Sequence, residues 1–207
     1  ETAPVSAQSS TSDSVEQRVG TVGRVHPHLE IKIVDEQGKV VPRGQLGELC
    51  VRGYSVMLGY WEDHEKSGEV IDSARWMHTG DIAEMDEAGF VKIKGRIKDV
   101  VIRGGENLFP KEIEDFLYTH PDVSDVQVIG LPDARYGEEL CACIILHEHH
   151  EITEESIRQY CAEHISHNKV PRYVRFFNEF PMTASGKAQK FKLQEFMHNE
   201  LDLKEIA

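Results

Sequence analysis

The chain has 207 residues, enough for one large domain or two smaller ones, each with its own packed core. Apolar residues make up 40% and charged residues 29%, the composition of an ordinary water-soluble globular protein. With 36 acids against 23 lysines and arginines the net charge is −13, a surface that repels phosphate backbones and anionic lipid, so neither nucleic acid nor membrane is expected as a partner.

In chain order, residues 6–14 are low-complexity and polar and predict a solvent-exposed loop. From about 20 to 96 the sequence turns to short strands broken by turns. Glu30 to Val34 and Gly47 to Arg52 alternate apolar and polar residues around the turn Asp35–Gly38. Asp81–Met85 and Phe90–Lys94 flank Asp86–Gly89 and predict a hairpin. This first part reads as all-β, compatible with a small barrel or sandwich. After Gly95-Arg96 the pattern becomes mixed: a short strand from Asp99 to Arg103 enters a tight turn at Gly104-Gly105. Pro110 opens a helix whose buried face is Ile113, Phe116 and Leu117 and which ends at His120-Pro121. Val123–Gly130 and Leu140–Leu146 are strands, and Thr153 caps a helix with Ile157, Tyr160 and Cys161 inside. A strand from Val174 to Phe177 and a helix from Lys190 to Leu201 complete an α+β region. The expected fold is therefore mixed α/β, a β-rich, barrel-like part over residues 1–96 followed by a small α+β domain over 97–207.

The four cysteines, Cys50, Cys141, Cys143 and Cys161, lack paired metal spacing and read as reduced thiols of an intracellular protein. No run of eighteen apolar residues occurs, so no transmembrane segment is predicted, and no signal peptide is visible. The chain starts at Glu1 without a methionine, which suggests a piece of a longer protein.

Three short polar motifs stand out: Thr79-Gly80-Asp81, Gly95-Arg96-Ile97-Lys98-Asp99, and Pro181-Met182-Thr183-Ala184-Ser185-Gly186-Lys187. Each has a bland reading. A turn aspartate commonly satisfies backbone N–H groups, and an arginine after a strand is commonly solvated. Gly186-Lys187 lacks the spacing of a phosphate loop. A lysine in a flexible glycine loop nevertheless suits a mobile point charge. His147, His149 and His150 read as an exposed loop rather than a metal site, and Lys169 and Arg172 as surface cations that could also meet a phosphate.

Taken in order, Thr21-Val22-Gly23-Arg24, Gly59-Tyr60-Trp61, Trp76 through Asp81, Gly95 through Asp99, Gly104-Gly105-Glu106-Asn107, Glu112-Ile113-Glu114 and Pro181 through Lys187 have the order and spacing of adenylate-forming enzymes. The sequence resembles that superfamily of acyl-CoA synthetases, luciferases and adenylation domains over residues 1 to about 203. It is most similar to medium-chain acyl-CoA synthetases of the acyl-CoA synthetase family member 2 type. The resemblance implies a ligase that activates a carboxylic acid, here a medium-chain fatty acid, with ATP and Mg²⁺ to acyl-AMP, then passes the acyl group to CoA. It implies that Asp81 accepts hydrogen bonds from the ribose hydroxyls and that Arg96 contacts ribose or phosphate. Lys187 bridges the carboxylate and α-phosphate, Lys98 is the hinge of a mobile small domain, Gly104 and Gly105 line the CoA tunnel, and Glu1 helps hold Mg²⁺. The phosphate loop and most of the acyl pocket lie outside these residues, so the isolated chain is expected to be inactive. A carrier-dependent adenylation domain and a non-catalytic nucleotide-binding fragment are the alternatives. The expected compartment is the bacterial cytoplasm or the mitochondrial matrix, and a homo-oligomer is compatible with the sequence.

Overall fold

The structure, a computed structural model, describes residues 1–201. The chain divides into two compact units between Lys98 and Asp99; residues 202–207, the end of the expected second domain, lie outside the described residues.

The first unit is built on a four-stranded antiparallel sheet. Its strands β3 (Leu29–Val34), β4 (Gly47–Gly53), β5 (Met77–Met85) and β6 (Val91–Arg96) lie side by side in sequence order. Ahead of them, β1 (Ala7–Gln8) and β2 (Arg24–Val25) pair antiparallel as a separate ribbon. One face of the sheet buries Ile33, Leu49, Val51, Ala83 and Val91. The mixed α/β class is as expected, but the barrel is not formed: among the described residues the sheet stays open. Closure requires a stagger accumulated over more strands than four can supply.

The polar stretch 6–14 is more than a loop. It contains β1, and Asp13 is buried, accepting from Ser10 N at 2.6 Å and from Arg24 Nη2 at 2.6 Å. The Ser10 amide and the Arg24 guanidinium hold the Asp13 carboxyl below its ordinary range against the opposing effect of burial. Ser14 and Gln17 form a reciprocal capping box that starts α1 (Val15–Gly20). A second short helix, α2 (His64–Val70), is capped by Asp63, whose Oδ1 accepts from Lys66 N at 3.0 Å.

The second unit opens with the hairpin β7 (Val101–Arg103) and β8 (Glu106–Leu108), then α3 (Pro110–Leu117). The helix stops at Leu117, short of the predicted His120-Pro121, because Thr119 and His120 already donate in turns to Phe116 O and Leu117 O. Two long strands, β9 (Val123–Asp133) and β10 (Gly137–Leu146), pair antiparallel along their whole length. After α4 (Glu154–His164), β11 (Tyr173–Phe176) runs parallel to β10, and α5 (Lys190–Glu200) follows. The sheet is covered on both faces. Leu140, Ala142 and Ile144 face α3 and α4 through Ile113, Leu117, Ile157 and Cys161. Cys141 and Cys143 face α5 through Leu193 and Met197. Burial on both sides is why β10 reads as an unbroken apolar run instead of alternating. All four cysteines are free and buried; burial lifts the Cys161 thiol to about 11, and Cys141 is pushed up by its bond to Cys143 and by burial.

One charge sits deep in this unit. Glu139, on β10, is 2% exposed and takes two bonds from Arg103, Nε to Oε2 at 2.7 Å and Nη2 to Oε1 at 3.0 Å. Donating to Glu139 raises the Arg103 guanidinium above its ordinary value, and the same guanidinium stacks 4.6 Å over the Tyr136 ring.

Candidate functional site

Thr79-Gly80-Asp81 does not form a turn between elements; it lies inside β5 and bulges out of it. Cys50 pairs with His78 and Glu48 pairs with Ile82, so a single residue of β4, Leu49, faces three of β5. A bulge of this kind breaks the ladder and re-aims side chains. The backbone groups freed by it are satisfied locally. Thr79 Oγ1 donates to Leu49 O at 2.8 Å and accepts from Asp81 N at 3.1 Å. Gly80 takes φ +69°, which suits glycine, and its N–H donates to Glu48 Oε1 at 3.1 Å. Just before the bulge, the Trp76 ring packs against two cations, Lys32 Nζ at 4.4 Å and the Arg52 guanidinium at 4.6 Å from its centroid.

A second irregularity, between β5 and β6, completes the corner. Ile82 pairs with Gly95 and Ala83 with Ile93, which leaves Lys94 as the extra residue and sets Arg96 directly across from Asp81. Arg96 Nε donates to Asp81 Oδ1 at 3.1 Å, with the side chains 48% and 28% exposed. A pair this exposed is worth only about 0–1 kcal/mol, so an entering ligand can rearrange it at little cost. Asp81 keeps Oδ2 and further lone pairs as acceptors.

Beside this corner is a cavity of about 270 Å³ lined by Glu1, Tyr60, His78, Thr79, Gly80 and Arg96, among others. Asp81 does not line it and reaches it through Arg96. Pockets for whole drug-sized ligands run to about 300–1,000 Å³, so this one has room for part of a nucleotide. Glu1 is fixed by Met57 N donating to Glu1 O at 2.8 Å, and its carboxylate accepts from Tyr60 Oη. That bond raises the Tyr60 hydroxyl above its ordinary value. An exposed carboxylate with one bonded partner among the described residues suits a hard cation such as Mg²⁺, which takes one or two protein carboxylates and fills its other positions with water and phosphate oxygens.

The remaining candidates are on or next to the second unit. Lys98 is exposed in a single turn of 3₁₀ helix, Ile97–Asp99, at the unit boundary. Gly104 and Gly105 are the two central residues of the β7–β8 hairpin, with φ +60° and +85°. Two positive φ values define the tight type I′ turn, so both glycines have a local conformational reason to be there. Gly105→Ala would meet no atom within 4 Å, so its cost is backbone strain alone. We expect it to lower the stability of the chain by about 1–2 kcal/mol in thermal denaturation, with Gly105→Asn costing less. An unchanged melting temperature for the alanine variant would contradict the turn assignment.

The sequence suggests a flexible loop around Lys187, but the structure gives a closed hairpin. Met182 bridges to Ala188, Thr183 N donates to Lys187 O at 2.8 Å, Lys187 N to Thr183 Oγ1 at 3.0 Å, and Gly186 N to Thr183 O at 3.0 Å. The hairpin is rooted at the start of α5, where Lys190 Nζ donates to Glu114 Oε1 at 2.6 Å and to Val128 O at 3.0 Å. Lys187 is exposed, and among the described residues its ammonium has no hydrogen-bond or ion-pair partner.

Sequence reasoning gave no role to Glu48, Tyr60 or His78, although Tyr60 and His78 stand within two of the quoted motifs. Glu48 and His78 are thirty positions apart on strands whose polar faces look solvated, and only the pairing of β4 with β5 brings them together.

Two family profiles match the chain: AMP-binding enzyme over residues 1–61 and AMP-binding enzyme C-terminal domain over residues 112–187. Lys187 closes the second stretch, whereas Asp81, Arg96 and Lys98 fall between the two. Among curated proteins, the mitochondrial medium-chain acyl-CoA ligase ACSF2 of Bos taurus is 53% identical over 98% of this chain and 33% of its own length. The putative acyl-CoA synthetase YngI of Bacillus subtilis (strain 168) is 50% identical over 94% of this chain and 36% of its own. Among solved structures, the anthranilate CoA ligase AuaEII in complex with anthranoyl-AMP has a TM-score of 0.86 and 34% identity, covering 96% of this chain and 38% of that one. The ATP-bound RpMatB-BxBclM chimera B3 has a TM-score of 0.85 and 33% identity, covering 95% and 39%. The chain thus belongs to the adenylate-forming family of AMP-binding enzymes. It spans about a third of the length of the medium-chain acyl-CoA ligases it matches.

Proposed function

We propose that this chain is the carboxyl-terminal part of an acyl-CoA ligase that activates a medium-chain fatty acid with ATP and transfers it to CoA. The observation that carries the reading is the Asp81–Arg96 pair, set by two strand irregularities beside a cavity of partial-nucleotide size. The names of the relatives, medium-chain acyl-CoA ligases of vertebrate mitochondria, support the substrate class and a matrix location, and the bacterial relative leaves a cytoplasmic one open.

In this reading Asp81 accepts hydrogen bonds from both ribose hydroxyls. Arg96 turns from the aspartate toward the sugar or the α-phosphate. A carboxylate oxygen of the fatty acid attacks the α-phosphorus, the bond to pyrophosphate breaks, and acyl-AMP forms. Lys187 lies on the negative charge that builds between carboxylate and phosphate, and among the described residues its ammonium has no competing partner. Mg²⁺, when bound, screens the phosphate charge, and Glu1 supplies one of its oxygens. The thiol of CoA then attacks the acyl carbon and AMP leaves, with Gly104 and Gly105 beside the path of the pantetheine arm. Lys98 is the hinge residue that absorbs the backbone rotation between the two half-reactions. Alone, the 207-residue chain does not form acyl-AMP.

The experiment that tests this reading is AMP binding to the full-length ligase by calorimetry. Two hydrogen bonds to a charged acceptor are worth about 1.5–3 kcal/mol each, so Asp81→Ala should weaken AMP binding by at least about a hundredfold. Wild-type affinity in that variant would remove Asp81 from the nucleotide site.

A further inference from the structure

Next to the bulge, three side chains of different chemistry converge that carry no step of the proposed reaction. Cys50 and His78 are paired across β4 and β5, and Glu48 is two residues from Cys50 on the same strand. His78 Nδ1 lies 3.5 Å from Cys50 Sγ and 2.7 Å from Glu48 Oε2. All three donor atoms fall within 4.8 Å of one another.

We propose that Glu48, Cys50 and His78 form a binding site for a thiophilic divalent cation of the Zn²⁺ class. The donor set, one thiolate, one imidazole and one carboxylate, is the borderline mixture that Zn²⁺ and Co²⁺ accept in tetrahedral geometry. The spacing agrees. With metal–sulfur and metal–nitrogen bonds of about 2.3 and 2.0–2.1 Å at a tetrahedral angle, the two donors sit about 3.5 Å apart. The sulfur–nitrogen separation already has that value. The nitrogen–oxygen separation is that of a hydrogen bond, so the Glu48 carboxylate retreats by about 0.7 Å to reach the same geometry. Entry is available: Cys50 is fully buried, but Glu48 and His78 both line the cavity, which leaves the fourth position facing solvent.

Burial, reinforced by the Glu48 carboxylate, pushes the Cys50 thiol up to about 12. Loading therefore releases a proton, and apparent affinity rises with pH. Because Glu48 Oε1 also accepts from Gly80 N, a bound cation competes for the carboxylate that braces the bulge.

The test is titration of the 207-residue chain with Co²⁺ alone, followed by absorption. The expected result is one equivalent bound, with intense tetrahedral d–d bands and a thiolate-to-cobalt charge-transfer band. Cys50→Ser abolishes the charge transfer, and Cys50→Ser and His78→Ala each weaken binding by more than about tenfold, whereas Cys161→Ser leaves band and affinity unchanged. Binding with no thiolate band, such as His147, His149 and His150 would give, overturns the proposal, as does a thiolate band that survives Cys50→Ser or a failure to bind. Should Cys50→Ser lose its fold by circular dichroism, X-ray absorption on the wild-type cobalt complex decides. One sulfur at about 2.3 Å supports the site, and a shell of nitrogen and oxygen only rejects it.

Discussion

Lys187→Ala in the full-length ligase is expected to slow acyl-AMP formation by about a hundred- to a thousandfold, the usual effect of deleting one group aimed at developing negative charge. The thioester half-reaction, started from supplied acyl-AMP and CoA, should change by less than about threefold, because the charge that Lys187 offsets has by then left with pyrophosphate. The asymmetry follows from where the side chain is held. The hairpin from Pro181 to Ala188 is tied by Thr183 and by the Lys190–Glu114 contact at its root, so the backbone is placed while the exposed ammonium has no partner among the described residues. Lys187→Arg should restore little, since a planar fork does not substitute for a point charge at the tip of a tight hairpin. Single-turnover measurements of the two half-reactions decide the matter, and equal losses in both would mean that the lysine acts elsewhere.

The largest expected effect on stability comes from a residue outside the proposed chemistry. Arg103→Ala strips the buried Glu139 carboxylate of both its close hydrogen bonds, leaving Arg172 Nη1 at 3.8 Å. An uncompensated buried charge typically costs about 3–5 kcal/mol, and the residual arginine places this case near the low end, at about 3 kcal/mol. Such a loss is a large part of a domain's typical total of about 5–15 kcal/mol. Urea denaturation of the chain should show it as a lower midpoint for the second unit, and pairing the change with Glu139→Leu should recover most of it. A midpoint within error of wild type for Arg103→Ala alone would show that Glu139 is not the buried anion its surroundings imply.

The elements most legible in the sequence are those whose signal is local. Thr153 caps its helix, as its Oγ1 accepting from Ser156 N at 3.1 Å bears out, and Cys141 and Cys143 share a face because strand geometry demands it. The glycine pair at 104–105 announces its turn for the same reason. The two short helices α1 and α2 were missed because neither buries a residue, so no apolar stripe marks them; their only signals are the caps at Ser14 and Asp63. The open sheet in place of a barrel, and the bulge that carries Thr79-Gly80-Asp81, depend on how strands pair at a distance. That is set by registers such as Glu48 with Ile82, which no window of a few residues contains. Of the candidate site, motifs name Asp81, Arg96 and Lys187, but not the brace beneath the bulge. Glu48 looked like one more exposed acid in an alternating strand until its two oxygens met Gly80 N and His78 Nδ1.

The central claim, that the Asp81–Arg96 corner holds the sugar of an adenylate, is tested most directly by a crystal structure of the full-length ligase with AMP. The account predicts both ribose hydroxyls within about 3 Å of the Asp81 carboxylate, with Arg96 turned from its bond to Oδ1 toward the nucleotide. A ribose bound elsewhere, with Asp81 and Arg96 still paired only to each other, would contradict it.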